Sequence, residues 1–142
     1  MTTAFIVVGV DGSPTSLRAL RWAGKQAELT GANLRAVTGW EYPRSYVGYP
    51  FAAVVDWRVN AEHILASAVE TVFGADNAEV FSTAVEGHPA RVLLDAAVGA
   101  ELIVVGNRGH GGFVEALLGS VTQHVIAHAT CPVLVVMQDP GP

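Results

Sequence analysis

Residues 102–121 read LIVVGNRGHGGFVEALLGSV, and within this stretch an apolar run gives way to glycines and then to a helix-like segment. The apolar run 102–105 has the composition of a buried strand, and Gly106 ends it. Glycines allow positive φ values and let backbone N–H groups approach an anion closely, because no Cβ intervenes. The stretch therefore predicts a strand, a phosphate-binding loop and a helix, which together form the repeating unit of an α/β sheet.

The spacing of the glycines separates this loop from two common phosphate-binding motifs. Two residues lie between Gly106 and Gly109, and nine more lie between Gly109 and Gly119. A Walker loop requires a following Gly-Lys-Ser/Thr, which is missing. The loop also lacks the G-x-G-x-x-G order and lies late in the chain, not after the first strand. We therefore expect backbone amides and the dipole of the next helix to meet a phosphate, with Ser120 as hydroxyl donor and helix cap.

The rest of the chain repeats this alternation of apolar strands and helical segments. Strands are predicted at residues 5–10, 33–40, 79–85, 102–105 and 132–137. Helices are predicted at 53–73, 90–98 and 116–129, after a first helix that starts at Ser13-Pro14 and ends at Gly31. The order predicts one Rossmann-like α/β domain over residues 1–142. Its sheet is open, parallel and five-stranded, in the order 3-2-1-4-5, with helices on both faces.

The composition limits the class of protein. Hydrophobic residues make up 51% of the 142 and charged residues 15%, which predicts a folded domain whose sheet is buried on both faces. No apolar run approaches the roughly 20 residues of a membrane span, and the start MTTAFIVVGVDG predicts a strand and not a signal peptide. A net charge of −5 without a basic cluster argues against nucleic acid as a partner. The single Cys131 excludes an internal disulfide, so we expect a cytoplasmic protein.

A second loop is expected to meet the glycine loop. In an open parallel sheet the ligand crevice lies beyond the carboxyl ends of the strands, where the strand order reverses. The loops at 9–13 and 106–112 both follow such strand ends. Asp11 can accept hydrogen bonds from a ribose hydroxyl or an adenine amine, or help to hold Mg²⁺. It can equally form an Asx turn beside Gly12, and the two roles are compatible.

The pattern G-x2-G-x9-G-[S/T] closely resembles the ATP-binding signature of the universal stress protein family. GVDGSP at 9–14 and CPVLVV at 131–136 are similar to the family's first loop and last strand. The resemblance implies that ATP binds, with Mg²⁺. It implies adenosine against Gly9, Val10 and Asp11, and adenine paired with the backbone of Val37. It further implies phosphates on the glycine loop and the following turn, at Gly106, Gly109, Gly119, Ser120, Val121 and Thr122. Arg108 in the same loop could reach a phosphate.

The resemblance also implies a homodimer formed through the C-terminal strand. That strand, PVLVVM at 132–137, is strongly apolar and would leave an exposed edge if it ended the sheet. Such an edge invites pairing with another chain.

Other candidate sites are less favoured. His124 and His128 stand four residues apart, as two zinc ligands on a helix would, but no HExxH glutamate accompanies them. Packing or a surface position is the preferred interpretation, so neither a metal site nor a catalytic residue is predicted. The aromatic-rich segment 40–57 is interpreted as a flap over the sheet end. A binding lid or partner surface is the alternative.

These observations predict a nucleotide-dependent regulator of stress or growth state that binds ATP and acts on an unidentified protein partner. No catalytic base is evident, so we expect at most weak ATPase activity. One alternative is a slow ATP-hydrolysing or nucleotide-transferring enzyme that uses Asp11 and bound Mg²⁺. Another is a nucleotide-free dimeric scaffold that works through segment 40–57.

Overall fold

A computed structural model describes residues 3–42, 56–109 and 117–139, and the structural statements below refer to these residues. The strands are β1 (Phe5–Gly9), β2 (Asn33–Trp40), β3 (Val80–Glu86), β4 (Leu102–Gly106) and β5 (Val133–Val136). They form one parallel sheet in the order β3-β2-β1-β4-β5. The helices are α1 (Pro14–Thr30), α2 (Trp57–Phe73), α3 (Pro89–Ala96) and α4 (Ser120–His128). The predicted fold class and strand order are confirmed.

The start of α4 differs from its prediction. The helix begins at Ser120 and not at 116, since Leu117 and Leu118 are not helical and Gly119 has extended backbone angles, φ −70° and ψ 164°. The apolar residues before Gly119 have helical spacing, but the chain turns there to meet the sheet. Residues 110–116 and most of segment 40–57 lie outside the described residues.

Helix α1 begins and ends as its sequence predicts. Ser13 is the N-cap, and its Oγ accepts a hydrogen bond from the Ser16 N–H at 3.2 Å, with Pro14 in the first turn. At the other end Gly31 has φ 76°, the left-handed conformation that favours glycine at a C-cap. The two caps fix where α1 begins after β1 and where it ends before β2.

The core lies on both faces of the sheet. Ile6 and Val8 of β1 face α1 and α2, while Val7 between them faces α3 and α4, as strand alternation requires. All three are essentially inaccessible to solvent. Burial on both faces explains why β1 and β4 read as continuous apolar runs. Among the described helices, none is long and apolar enough to cross a membrane.

Cys131 packs into the core on the α3–α4 side, just before β5. Burial raises the pKa of its thiol above the ordinary value, against the lowering effect of a hydrogen bond with the Ile103 backbone. The thiol is therefore mostly protonated at neutral pH and unreactive, which suits a packing residue.

Candidate functional site

A cavity of about 340 Å³ opens at the carboxyl ends of β1 and β4, which are neighbours in the sheet. The strand order reverses here, because β2 and β3 lie to one side and β5 lies to the other. Ligands of open α/β sheets bind at such a point. Ten of the eleven site residues predicted from the sequence line the cavity: Gly9, Val10, Asp11, Gly106, Arg108, Gly109, Gly119, Ser120, Val121 and Thr122.

Val37 is the predicted site residue that does not line the cavity. It lies within β2, in register with Gly9, and is only 5% exposed. Its carbonyl accepts the Val10 N–H at 2.9 Å, so this backbone acceptor is used within the sheet. Gly39, two residues further along the same strand, lines the cavity instead. The difference arises because β2 extends to Trp40, which leaves Val37 short of the strand end.

The two predicted loops meet directly at Asp11 and Gly109. A Cβ on Gly109 would overlap Oδ2 of Asp11, so a larger residue here would displace the Asp11 carboxylate. Oδ1 of Asp11 accepts the Ser13 N–H at 2.9 Å, which is an Asx turn leading into α1. Asp11 therefore forms the predicted Asx turn and also lines the cavity, while its contact with a ligand stays a prediction.

Gly106 and Gly119 are also required by close packing. A Cβ on Gly106 would lie 2.6 Å from Cγ2 of Thr15, and one on Gly119 would lie 3.1 Å from Cα of Arg108. The Gly106 carbonyl accepts the Thr122 hydroxyl at 2.7 Å, and Thr122 is 3% exposed. The hydroxyl proton of Thr122 is thus committed to the loop, so this side chain positions the cavity wall and does not donate into it.

Asn107 is the structural centre of the loop, and the sequence reasoning missed it. This 5% exposed residue makes four hydrogen bonds. Its backbone N–H donates to the Val136 carbonyl at 2.8 Å, and its carbonyl accepts the Gly119 N–H at 2.7 Å. Its side chain donates to the Leu117 carbonyl at 3.0 Å and accepts the Gln138 N–H at 2.9 Å. Asn107 therefore joins both ends of the glycine loop to β5. An asparagine placed directly after a buried strand was the available signal.

The N-terminus of α4 has no side-chain cap. Gly119 occupies the N-cap position and Ser120 is the first helical residue, so the expected capping by Ser120 is wrong. The reason is positional, because an N-cap side chain must precede the first helical turn. Backbone N–H groups of a first turn have no partner within the helix, and here that turn, 120–122, lines the cavity. Together with the helix dipole, such groups bind anions.

Arg108 brings a positive charge to the same end of the cavity. Among the described lining residues it is the only Lys or Arg, and it is partly buried. Its guanidinium donates to Oε1 of Gln138 in the segment that follows β5. That hydrogen bond directs the side chain along the cavity wall, where it adds a charge to the amide groups of the loop.

The opposite end of the cavity is apolar, and its residues were not singled out from the sequence. Pro89 and Leu93 of α3 and Val105 of β4 line it, together with Gly39. A Cβ on Gly39 would lie 2.7 Å from Cα of Pro89, so this glycine lets α3 approach β2. A glycine inside a strand is the sequence signal for such an approach. The cavity thus has a flat apolar end and a polar end rich in backbone amides.

Three histidines lie close together outside the cavity, on α3 and α4. His88 caps α3, because its Nδ1 accepts the Ala90 N–H at 3.2 Å. The rings of His88 and His124 are 6.4 Å apart, and those of His124 and His128 are 4.6 Å apart. Within the described part of the chain, no group of three or more His, Cys, Asp or Glu residues has the geometry of a metal site.

The chain matches the model of the universal stress protein family over residues 5–137. It is 37% identical over 135 residues to a universal stress protein of Thermus aquaticus, covering 92% of this chain and 96% of the relative. It is 36% identical over 143 residues to one of Mycobacterium tuberculosis, covering 94% of this chain but 45% of that protein. The chain therefore spans about half the length of this mycobacterial relative.

Solved structures give the same result. A universal stress protein in complex with cAMP superposes with a TM-score of 0.69 at 30% identity, over 98% of this chain and all of the other. One from Archaeoglobus fulgidus in complex with dAMP has a TM-score of 0.68 at 26% identity, over 96% and 99% of the two chains. By its sequence from 5 to 137 and by its strand order, the chain belongs to the universal stress protein family.

Proposed function

We propose that the cavity binds ATP and that the protein is a nucleotide-dependent regulator. The observation that carries this proposal is the uncapped N-terminus of α4, which lines the same cavity as the glycine loop. Two amide-rich elements and one arginine at a single end of a cavity favour a polyanion.

The apolar end supports an adenine base. Pro89 and Leu93 present flat and branched apolar surfaces on one side, and Val105 closes the other. Asp11 lines the same cavity, and its carboxylate can accept a ribose hydroxyl. Two of the relatives described above are complexes with adenine nucleotides, cAMP and dAMP, which supports the same base here.

The polar end supports more than one phosphate. The loop 106–109 and the first turn of α4 can each hold a phosphate group, and Arg108 adds a charge. Mg²⁺ would bind mainly through the phosphates of the nucleotide, since Asp11 is the only carboxylate among the described lining residues. Proteins often hold Mg²⁺ by one carboxylate together with phosphate oxygens. The metal would neutralise charge between neighbouring phosphates.

Calorimetry with ATP, AMP and cAMP in the presence of Mg²⁺ tests the proposal. Each additional phosphate should gain contacts at the polar end, so ATP should bind at least about tenfold more tightly than AMP, or 1.4 kcal/mol. The absence of both heat and thermal stabilisation with all three nucleotides would refute adenine nucleotide binding. Equal affinities would retain the base but reject the polyphosphate site.

A regulatory role is preferred to catalysis because the cavity offers no proton acceptor apart from Asp11 among its described residues, and Asp11 already accepts the Ser13 N–H. We place the protein in the cytoplasm, acting through a protein partner that responds to the bound nucleotide. Asp11→Asn separates this role from the slow ATPase alternative. Retained ATP binding with lost turnover would indicate catalysis, whereas joint weakening of both indicates a binding module.

We further propose a homodimer through β5. This strand lies at the edge of the sheet and pairs only with β4 among the described strands. Val133, Leu134 and Val135 are all partly exposed although the strand is wholly apolar. An open apolar edge is a site for pairing with another chain. Sedimentation of a monomer at micromolar concentration would contradict the dimer.

A further inference from the structure

The sheet has a second edge at β3, on the side opposite β5. In the described chain β3 pairs only with β2, along its whole length of seven residues. The Gly87 N–H donates to the Trp40 carbonyl at 2.7 Å, so the odd-numbered residues of this segment direct their backbone groups toward β2. Ser82 and Ala84 therefore direct their N–H and C=O groups outward, where an added strand would find them.

A groove of about 580 Å³ runs beside these outward groups, between β3 and α2. Its strand side is lined by Ser82, Thr83 and Ala84, and its helix side includes Glu62 and Glu70. The small side chains of the strand leave room for an extended segment to lie under the helix.

The other face of β3 presents two large apolar side chains. Phe81 is 58% exposed and Val85 is 39% exposed, and both point to the face that α3 and α4 cover further inward. They are four residues apart on one strand, so they lie on the same face with Thr83 between them. Cross-strand neighbours of these positions would be apolar, because aromatic and β-branched pairs stabilise adjacent strands.

The charge around this edge is strongly negative. Segment 56–86 holds six of the 13 acidic residues of the chain and only one of its eight Lys or Arg residues. That one, Arg58, lies 3.7 Å from Glu62 in an exposed i,i+4 pair. Glu79 and Glu86 stand at the two ends of β3, and Glu70 projects over the groove. A strand added here would meet carboxylates on its helix side.

We propose that the β3 edge binds an extended segment of a partner protein in which basic and apolar residues alternate. The segment adds a sixth strand through the outward backbone groups of Ser82 and Ala84. Its basic side chains point under α2 toward Glu62 and Glu70, while its apolar side chains pack beside Phe81 and Val85. The alternation follows from the two-residue period of a strand, since the two faces of this edge differ in character.

A second copy of this chain is a poorer occupant of the same edge. Pairing about a two-fold axis would bring two sets of the same carboxylates together, and like charges placed opposite one another destabilise paired strands. A basic segment has the opposite charge, so the carboxylates that would repel a second copy attract it.

Fluorescence anisotropy with a labelled octapeptide of alternating Lys and Val tests the proposal on the full chain. A peptide of the same composition with its lysines and valines in two blocks is the control for charge alone. We expect the alternating peptide to bind at least about tenfold more tightly than the block peptide, because only the former presents one face to each side of the edge.

Two protein variants locate the site. Ser82→Pro removes an outward N–H and should abolish peptide binding, whereas Ser82→Ala keeps that N–H and the small side chain and should bind normally. Glu70→Lys should weaken binding about tenfold, while Glu101→Lys, an equal charge change outside the groove, should alter it less than about twofold. A cooperative thermal unfolding transition in each of the four variants shows that it still folds.

Equal binding of the two peptides, or equal effects of the two lysine substitutions, would overturn the proposal. Self-association that is lost in Ser82→Pro and kept in Ser82→Ala would overturn it too, because the occupant would then be a second copy. None of these outcomes bears on nucleotide binding, so this proposal stands or falls separately from the ATP site.

Discussion

Gly109 and Asp11 are in contact where the two loops meet, so a single methyl group added at Gly109 tests whether this contact matters for binding. In Gly109→Ala the new Cβ would overlap Oδ2 of Asp11, so the carboxylate must move and the Asx turn that its Oδ1 makes with the Ser13 N–H is disturbed. We expect ATP affinity to fall by at least about tenfold, since a displacement of about 1 Å is enough to disrupt a preorganised site. Calorimetry with ATP measures the effect.

Gly24→Ala is the matched control for this substitution. Its Cβ would meet Cε1 of Phe73 at 2.6 Å, but Phe73 is a side chain that can shift, and the position lies on α1 away from the cavity. ATP affinity should stay within about twofold of the unsubstituted protein. Equal losses in the two variants would mean that the Gly109 contact has no special role in binding.

Asn107 supports a prediction about stability. Asn107→Ala removes two side-chain hydrogen bonds, one to the Leu117 carbonyl and one from the Gln138 N–H, and each contributes about 0.5–1.5 kcal/mol net. We expect the free energy of unfolding to fall by about 2 kcal/mol in chemical denaturation, with weaker ATP binding. Asn77→Ala removes a single exposed hydrogen bond to the Gly74 carbonyl and should cost far less. A smaller loss at Asn107 than at Asn77 would contradict the bracing role of Asn107.

At the scale of the element, α4 presents its first turn to the cavity without a capping side chain. Ser120→Glu places a carboxylate at this helix N-terminus, where negative charge stabilises a helix by about 0.3–1 kcal/mol. The same charge repels phosphate, so thermal stability should be kept or raised while ATP affinity falls about tenfold or more. Melting curves and calorimetry read the two effects separately.

Ala127→Glu on the last turn of α4 is the control for Ser120→Glu. It adds the same charge to the same helix at an exposed position outside the cavity. ATP should bind this variant normally. If Ser120→Glu also bound ATP normally, the N-terminus of α4 would not be the phosphate site.

Strand β5 allows the dimer to be tested without disturbing the sheet. The Ile103 N–H donates to the Pro132 carbonyl and the Asn107 N–H donates to the Val136 carbonyl. The even-numbered residues of β5 therefore direct their backbone groups toward β4. The backbone groups of Val135 therefore face outward. Val135→Pro removes an outward N–H and should shift sedimentation from dimer to monomer, whereas Val135→Thr should remain dimeric. A dimeric proline variant would place the interface elsewhere.

The sequence predicted elements more reliably than contacts between elements. The identity of each strand and helix follows from local periodicity. The glycine positions in the loop could be predicted because each depends on the backbone conformation at that residue alone. An asparagine after a strand and a glycine within one are local signals, but the contacts of Asn107, Gly39 and Pro89 depend on where separate strands and helices end relative to one another. Val37 shows the same limit, because its distance from the cavity is set by the length of β2. The start of α4 was misplaced because Leu117 and Leu118 continue the apolar composition of the helix but are not helical.

At the scale of the whole molecule, Asn107 joins the glycine loop to the β5 edge, where we propose that two copies pair. It holds the glycine loop through Gly119 and Leu117, and it holds the end of β5 through Val136 and Gln138. Arg108 of the cavity also donates to Gln138. A ligand that orders the loop therefore orders the strand through which we propose that two copies pair.

Linkage makes this connection measurable, because two coupled binding events must change each other's free energy by the same amount. We expect saturating ATP to tighten the dimer about fivefold or more. Because each dimer binds two ATP molecules, the monomeric Val135→Pro variant should bind ATP more weakly by the square root of that factor, about twofold or more. Sedimentation with and without ATP gives the first value, and calorimetry on the dimer and on the proline variant gives the second. Asn107→Ala should bring both factors close to one, since it removes the side-chain bridge between loop and strand. An ATP affinity identical in monomer and dimer would show that the two sites act independently despite their shared residue.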